Sequence, residues 1–411
     1  MKEKVMKFAK QETVLVIAIL LAVFSAFFVA PSKEYLSYID WRVLGILLSL
    51  MIIMSGLQKT GLFDAIGSRI LKKTRNTRQL SLMLVSLCFF FSMLITNDVA
   101  LFTFVPFAMI ILKKCKQEDI LIPVLVLQTI AANLGSMLTP IGNPQNLYLY
   151  NLSGMGMDEF LLVMLPYTLA AFVFLVVSVF LCCRKEAITE VTVEKSEKNP
   201  GNGAKNGVKN AVYIMLFLLS LLVVARIIAF EILLVLVIIT VLLMDRKVLT
   251  QVDYCLLLTF IAFFIFTGNM GNIPIIRESL QQLVAGRELG VGILASQAIS
   301  NVPAALLLSG FTSDYRSLLI GVNVGGLGTL IASMASLISY KLFAKEYNHE
   351  KGRYFLYFTV VNIIFLAILV LLATSLASRI VKVTSSLPVT DTLVVKSPSV
   401  TPTIVCVISR I

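Results

Sequence analysis

The sequence predicts an all-α polytopic membrane protein of two inverted repeats, each carrying a re-entrant helical hairpin and a broken transmembrane helix. Hydrophobic residues make up 58% of the 411 and charged residues only 14%, more apolar than a soluble core of this size needs. Two apolar runs are interrupted at their centres by polar residues. Thr96-Asn97-Asp98 breaks residues 94–110, and Ser300-Asn301-Val302 breaks residues 298–311. A bare carboxylate deep in hydrocarbon costs about 2.5–3.5 kcal/mol, so Asp98 implies that polar atoms there bind something. The segments around the two tips also align with each other. Asn97 pairs with Asn301, and residues 132–150 lie on 322–340 without a gap, pairing Asn133 with Asn323, Gly135 with Gly325 and Thr139 with Thr329.

Taken in order, residues 14–30 are long enough to cross, so the Lys-rich stretch before them reads as a cytoplasmic lead to an uncleaved helix rather than a signal peptide. Residues 41–57 form a second span, with Trp41 as interface anchor. Residues 59–78 carry Lys59, Arg69, Lys72, Lys73, Arg75 and Arg78 against Asp64, which places them in the cytoplasm. Leu62, Ile66 and Ile70 recur there at helical spacing and predict an amphipathic surface helix. Residues 80–111 are apolar apart from the tip, and Lys113, Lys114 and Lys116 make the far flank basic as well. Both flanks are therefore cytoplasmic and the chain turns at 96–98, which is allowed at membrane depth where protein or a water-filled cavity surrounds the backbone.

Residues 120–150 contain LTPIGNPQN. Pro140 and Pro144 cannot donate backbone hydrogen bonds and Gly142 loosens the turn between them, which predicts a broken helix around 139–146. Residues 160–183 return to the cytoplasm, and 184–210, rich in Lys, Gly and Asn, read as a flexible linker. Residues 211–229, 232–244 and 252–267 cross in turn, and 268–290 form an external surface helix. The second interrupted run spans 291–311, 317–340 is broken at NVGGLGTLIAS, and 354–377 is the last span. That makes about nine full spans plus two hairpins, or about 11 hydrophobic segments, at roughly 20 residues per spanning helix. The chain divides into 1–40 (first helix), 41–183 (repeat one), 184–210 (linker), 211–251 (connecting helices), 252–377 (repeat two) and 378–411, a tail read as disordered and external. The charge flanks open the first hairpin to the cytoplasm and the second to the outside, the inverted-repeat plan of secondary transporters.

The net charge of +12 does not indicate nucleic acid, because the Lys and Arg sit in short loops between apolar segments, as positive-inside bias requires. The six cysteines lack zinc-ligand spacing and the one histidine, His349, lies in a charged loop, which argues against a metalloenzyme. No Ser–His or paired-Asp constellation supports an intramembrane enzyme.

The candidate substrate and ion site comprises Thr96, Asn97, Asp98, Thr139, Pro140, Gly142, Asn143 and Asn146 in the first half. The second half supplies Ser300, Asn301, Pro303, Asn323, Gly325, Thr329 and Ser333. Asp98 reads either as a coupling-cation ligand or proton carrier, or as the N-cap of a helix starting at Val99. Asn97 and Asn301 read as site residues or as caps. The midplane segments contain no Lys or Arg, so attraction for an anion has to come from half-helix N-termini and a co-bound cation. Arg226 reads as a snorkelling residue at an external helix end rather than a substrate ligand, and Asp40 and Asp253, matched across the repeat, as interface anchors.

The stretches DWRVLGILLSLMIIMSGLQKTGLFD, LITNDVALFTFVPFAMIILKK, NLGSMLTPIGNPQN and QAISNVPAALLL resemble the ion transporter superfamily. It comprises arsenite permeases, citrate-metal symporters, divalent-anion/sodium symporters and related sodium/proton antiporters, and the match is closest to short bacterial anion or citrate-type permeases. The resemblance covers residues 41–377. It implies that each hairpin tip and the facing broken helix form half of a central site, in a bacterial inner membrane protein with a cytoplasmic N-terminus and, by the parity of the spans, an external C-terminus. In the symporter branch the tips read Ser-Asn-Thr and bind sodium and substrate carboxylate. Here the hydroxyl and the Asn are retained and the third residue differs, as Asp98 and Val302. The resemblance implies a small anion such as citrate or a dicarboxylate as substrate, Na+ or H+ as coupling ion with Asn97, Asp98 and Asn301 as sodium ligands, no other cofactor, and a homodimer. A cation/proton antiporter and an arsenite efflux permease are the alternatives.

Overall fold

The computed structural model describes residues 12–63, 65, 74–183, 186 and 203–386, with backbone alone for 13, 203–206 and 378–386. Among them there are helices and no β-strand. The helices of nine residues or more are α1 (Thr13–Ala26), α2 (Trp41–Lys59), α3 (Thr77–Ile95), α4 (Asn97–Lys114), α5 (Leu121–Ser136), α6 (Pro144–Ser153), α7 (Met157–Cys182) and α8 (Gly203–Val224). They continue as α9 (Phe230–Met244), α10 (Tyr254–Gly271), α11 (Pro274–Val284), α12 (Glu288–Ile299), α13 (Asn301–Ser309), α14 (Tyr315–Val324), α15 (Met334–Glu346) and α16 (Lys351–Ser386).

Among the described residues, seven helices are long and apolar enough to cross a membrane, and three shorter apolar helices accompany them. Their outward faces carry large apolar side chains, such as Leu20 at 62%, Leu162 at 68% and Leu243 at 81% exposure. A band of that kind is stable against lipid and not against water. The 26 residues of α7 span about 39 Å, more than the ~30 Å hydrocarbon core, so it crosses with tilt or protrudes. The amphipathic segment expected over 59–78 falls mostly outside the described residues, as does most of the linker. α8 begins inside the stretch read as linker, and α16 extends past residue 377 into the stretch read as tail.

Each end of the chain's plan has a local cause. Asp40 caps α2 by accepting from the Val43 N–H (2.9 Å) and Asp253 caps α10 by accepting from Leu256 N–H (3.0 Å). The two carboxylates read as interface anchors are thus N-caps. Arg226, at φ 64°, donates to the carbonyls of Tyr150 (2.9 Å) and Gly154 (3.2 Å) and lies 4.8 Å over the Tyr150 ring. It satisfies the open carbonyl end of α6, so its guanidinium is engaged by the fold rather than free for a substrate. On the opposite side, Lys59 and Asp245 (2.7 Å) tie the end of α2 to that of α9.

Packing interleaves the two halves. α3 and α4 form a hairpin against α5, and α12 and α13 form a second hairpin against α14. α15 of the second half then packs on α4 and α5 of the first, while α6 of the first half packs on α13 and α14 of the second. α8 and α9 lie along α2, and α1 along α10.

The contact of α3 with α5 requires Gly135, where a Cβ would stand 2.1 Å from the Phe89 carbonyl oxygen. Gly135→Ala is expected to lower the thermal midpoint in detergent, with a cost of about 1–3 kcal/mol from overpacking. Gly207→Ala, at a helical position with nothing within 4 Å, should leave the midpoint unchanged or raise it.

Candidate functional site

The site is built at the points where helices stop. Each hairpin turns on a single residue: Thr96 at φ 70°, ψ 151° and Ser300 at φ 74°, ψ 155°. This region of backbone space is almost confined to glycine, so both tips carry strain of order 1–3 kcal/mol. The next residue begins a helix in each case, and its N–H reaches across to a break in another helix. Asn97 N–H donates to Gly142 O (3.1 Å) and Asn301 N–H to Ala332 O (3.0 Å). The side-chain oxygen of each Asn then accepts from the following N–H, Asp98 at 3.0 Å and Val302 at 2.9 Å.

The breaks between α5 and α6 and between α14 and α15 are matched as closely. Thr139 donates its hydroxyl to Met93 O, and Thr329 to Gln297 O at 3.3 Å. Gly142 N–H bonds to Thr139 O (3.2 Å) and Ala332 N–H to Thr329 O (3.1 Å). At Gly142 a Cβ would fall 2.0 Å from Ser136 O, which is why the tight turn after Pro140 takes glycine. Thr139 is half-buried and Thr329 exposed, so these hydroxyls brace the loops and do not line a common centre. Gly325 lets α14 approach α12, with Ile293 Cα 2.9 Å from where its Cβ would lie.

The centre is a buried network of amides and hydroxyls. Asn133 Oδ1 accepts from Asn97 Nδ2 (3.2 Å) and from Ser333 Oγ (2.9 Å), and Asn133 Nδ2 donates to Ser336 Oγ (3.3 Å). The other half mirrors it. Asn323 Oδ1 accepts from Asn143 Nδ2 (3.1 Å), and Asn323 Nδ2 donates to Asn146 Oδ1 (2.7 Å). Each middle-helix Asn thus binds the helix that restarts in the opposite half. Asn143 also caps α6 through the Asn146 N–H (2.9 Å), and Asn146 Nδ2 faces the carbonyls of Ser136, Met137 and Thr139 at 3.1–3.3 Å. These are the carbonyls that a broken helix leaves open.

Asp98 lies in the first turn of α4, half-buried, and its carboxylate makes no hydrogen bond among the described residues. Because α4 starts at Asn97 and not at Val99, Asp98 is inside the helix and does not cap it. Its charge favours the helix N-terminus. Pro303 lies with Val302 and Met334 on a cleft that also exposes Glu12, Asp253 and Thr259. No group of three or more His, Cys, Asp or Glu suited to a metal ion occurs among the described residues.

The structure therefore gathers Asn97, Asn143, Asn146, Asn323 and Ser333 into one network and sets Asp98 and Asn301 at the two tips beside it. It adds Asn133, Ser136 and Ser336, which the sequence reading did not select. Asn133 was visible as the partner of Asn323, and Ser336 falls opposite Asn146 in the same ungapped alignment. Gln145, inside the GNPQN motif, was also passed over.

A family model described as citrate transporter matches residues 5–313. The chain belongs to the citrate transporter family. Among its relatives is an uncharacterized transporter of Methanocaldococcus jannaschii, 34% identical over 341 residues, covering 82% of this chain and 90% of that protein. The inner membrane protein YbiR of Escherichia coli is 32% identical over 335 residues, 79% of this chain and 86% of its own length. The silicon efflux transporter LSI3 of Oryza sativa is 31% identical over 145 residues, which is 35% of this chain and 29% of LSI3. Membership in the citrate transporter family makes this chain a multi-pass membrane transporter and not an enzyme.

Asn323→Ala is expected to destabilise the protein by about 1–3 kcal/mol, since Asn143 Nδ2 and Asn146 Oδ1 each lose a buried partner. A fall in the detergent thermal midpoint checks this, with Thr329→Ala, at an exposed brace, falling less.

Proposed function

We propose that this protein is a secondary active transporter that moves a small anion, such as citrate or a dicarboxylate, by alternating access coupled to H+ or Na+. The observation that carries this reading is that four half-helices, α4, α6, α13 and α15, begin around one buried amide and hydroxyl network. Each N-terminus offers about half a positive charge, a ready anion site where no side-chain cation is supplied. Among the described residues, no Lys or Arg hydrogen-bonds to the network residues. Asp98, Asn97 and Asn301 carry the coupling ion, with Asp98 the one carboxylate at a tip. The remaining site residues, Thr96, Ser300, Pro303 and the loops around Pro140, Gly142, Gly325 and Thr329, shape the two tips and breaks that open in turn. In this reading the halves are inverted repeats in a bacterial plasma membrane, with the N-terminus cytoplasmic, the C-terminus external, and two copies forming a dimer. The name of the YbiR relative supports the inner membrane location.

A second reading is efflux of an undissociated oxyacid, arsenite or a relative of it. A lining of Asn amides and Ser hydroxyls without a cationic side chain suits a neutral hydroxylated solute as well as an anion, and the similarity to the silicon efflux transporter LSI3 points the same way.

Flux into proteoliposomes separates the readings. A pH or sodium gradient should drive labelled citrate or succinate, and arsenite movement in their place would favour the second reading. Cation exchange without solute uptake would sink both. Asp98→Asn should abolish the dependence of uptake on the gradient; unchanged coupling would remove Asp98 from the ion site. The inverted arrangement has its own check. In a background otherwise free of cysteine, Cys115 and a cysteine introduced by Asp314→Cys should label from opposite faces of the membrane, and labelling from one side would refute it.

A further inference from the structure

Gln145 is the second residue of α6 and is 1% exposed, yet neither its amide oxygen nor its amide nitrogen has a hydrogen-bond partner among the described residues. Other described residues with buried, unpartnered side-chain atoms, among them Gln128, Asn269 and Asn362, lack a partner at one atom; Gln145 lacks both. Its neighbours are fully used. Asn143 caps the helix and reaches Asn323, and Asn146 closes the open carbonyls of the break. Tyr148, three residues on, bonds to Ser309 of the second hairpin (2.8 Å), and helical spacing puts Gln145 on that same side of α6, toward α13. Packing does not require an amide at this position. The aligned residue of the second half is Ala335, buried to 0%, and an apolar side chain would avoid the cost of two sealed polar groups.

We propose that Gln145 is a substrate-binding residue of the central site, and that it takes a ligand offering both an oxygen acceptor and a hydroxyl, the pattern of a hydroxycarboxylate. The amide NH2 donates to the carboxylate and the amide oxygen accepts from the hydroxyl, so a hydroxylated substrate satisfies both ends at once. In the conformation described here α13 covers that face; the site engages when the second hairpin moves away from α6. This assignment rests on the anion-transport reading above and adds to it the hydroxyl group that the substrate carries. The polarity is one-sided: as with Asp98 opposite Val302, the first half holds the polar group and the second an apolar one.

The test uses the full-length protein in proteoliposomes and two matched pairs of probes, malate with succinate and citrate with tricarballylate, which differ by one hydroxyl. The expected result is that the unaltered protein has a KM about tenfold lower for the hydroxylated member of at least one pair, the scale of one or two net hydrogen bonds. Gln145→Met, close in shape and without polar atoms, should fold with an equal or higher thermal midpoint, raise the KM of the hydroxylated member more than that of its partner, and so lose the preference. A Gln145→Met protein with the unaltered preference, or an unaltered protein with none, overturns the role of Gln145 while leaving anion transport standing. An unaltered protein that moves none of the four probes overturns the anion reading and this assignment with it.

Discussion

Everything at the centre of this molecule depends on one reciprocal exchange. Asn133 holds Ser333 and Ser336 of the opposite half, and Asn323 holds Asn143 and Asn146 in return. Breaking a helix inside hydrocarbon frees carbonyls and N–H groups that lipid cannot satisfy. The two breaks persist because each half supplies the polar partners for the other. The same bonds that make the breaks tolerable leave four helices starting close to one network, so the constraint that keeps the fold together also shapes the region proposed above for binding.

The hairpin tips show how that region is held to a defined shape. Thr96 and Ser300 adopt nearly the same strained conformation, and each is pinned by an N–H from the next residue to a carbonyl in a break, Gly142 in one case and Ala332 in the other. Strain at such positions persists when surrounding bonds over-determine it. A transporter site needs to be rigid in each of its states and to change between them as a unit. Tips pinned to breaks suit the alternating-access proposal, in which each tip would move with the break it is bonded to. The two halves match in backbone and differ in polarity, which leaves Asp98 and Gln145 as features of the first half alone.

Much of this was legible in the residues themselves. Asp98 in an apolar run, the prolines around Gly142 and the ungapped match of 132–150 with 322–340 located the tips and the breaks to within a few residues. The helix start at Asn97 rather than Val99 was missed because Thr96 turns the chain at positive φ, and nothing in Thr-Asn-Asp signals a residue type that avoids that region occupying it. Arg226 looked like an interfacial snorkel, since its partners Tyr150 and Gly154 are far away in sequence. Ser336 escaped notice because one serine in an apolar helix is ordinary until its position opposite Asn133 is known.

The sequence by itself determined the membrane class, the order of the apolar segments and the family, because hydrocarbon imposes a length and a polarity on every segment that crosses it; of the roughly nine full spans it suggested, seven helices among the described residues are long enough to cross. Only the tertiary structure decided which of the polar residues meet, since hydrogen bonds between positions some 200 residues apart leave no local trace in the chain, as with Asn133 and Ser336. The interrupted run at Thr96-Asn97-Asp98 marked a hairpin tip. The crossed asparagines, and the unpaired amide of Gln145 beside them, are what the folded chain placed there.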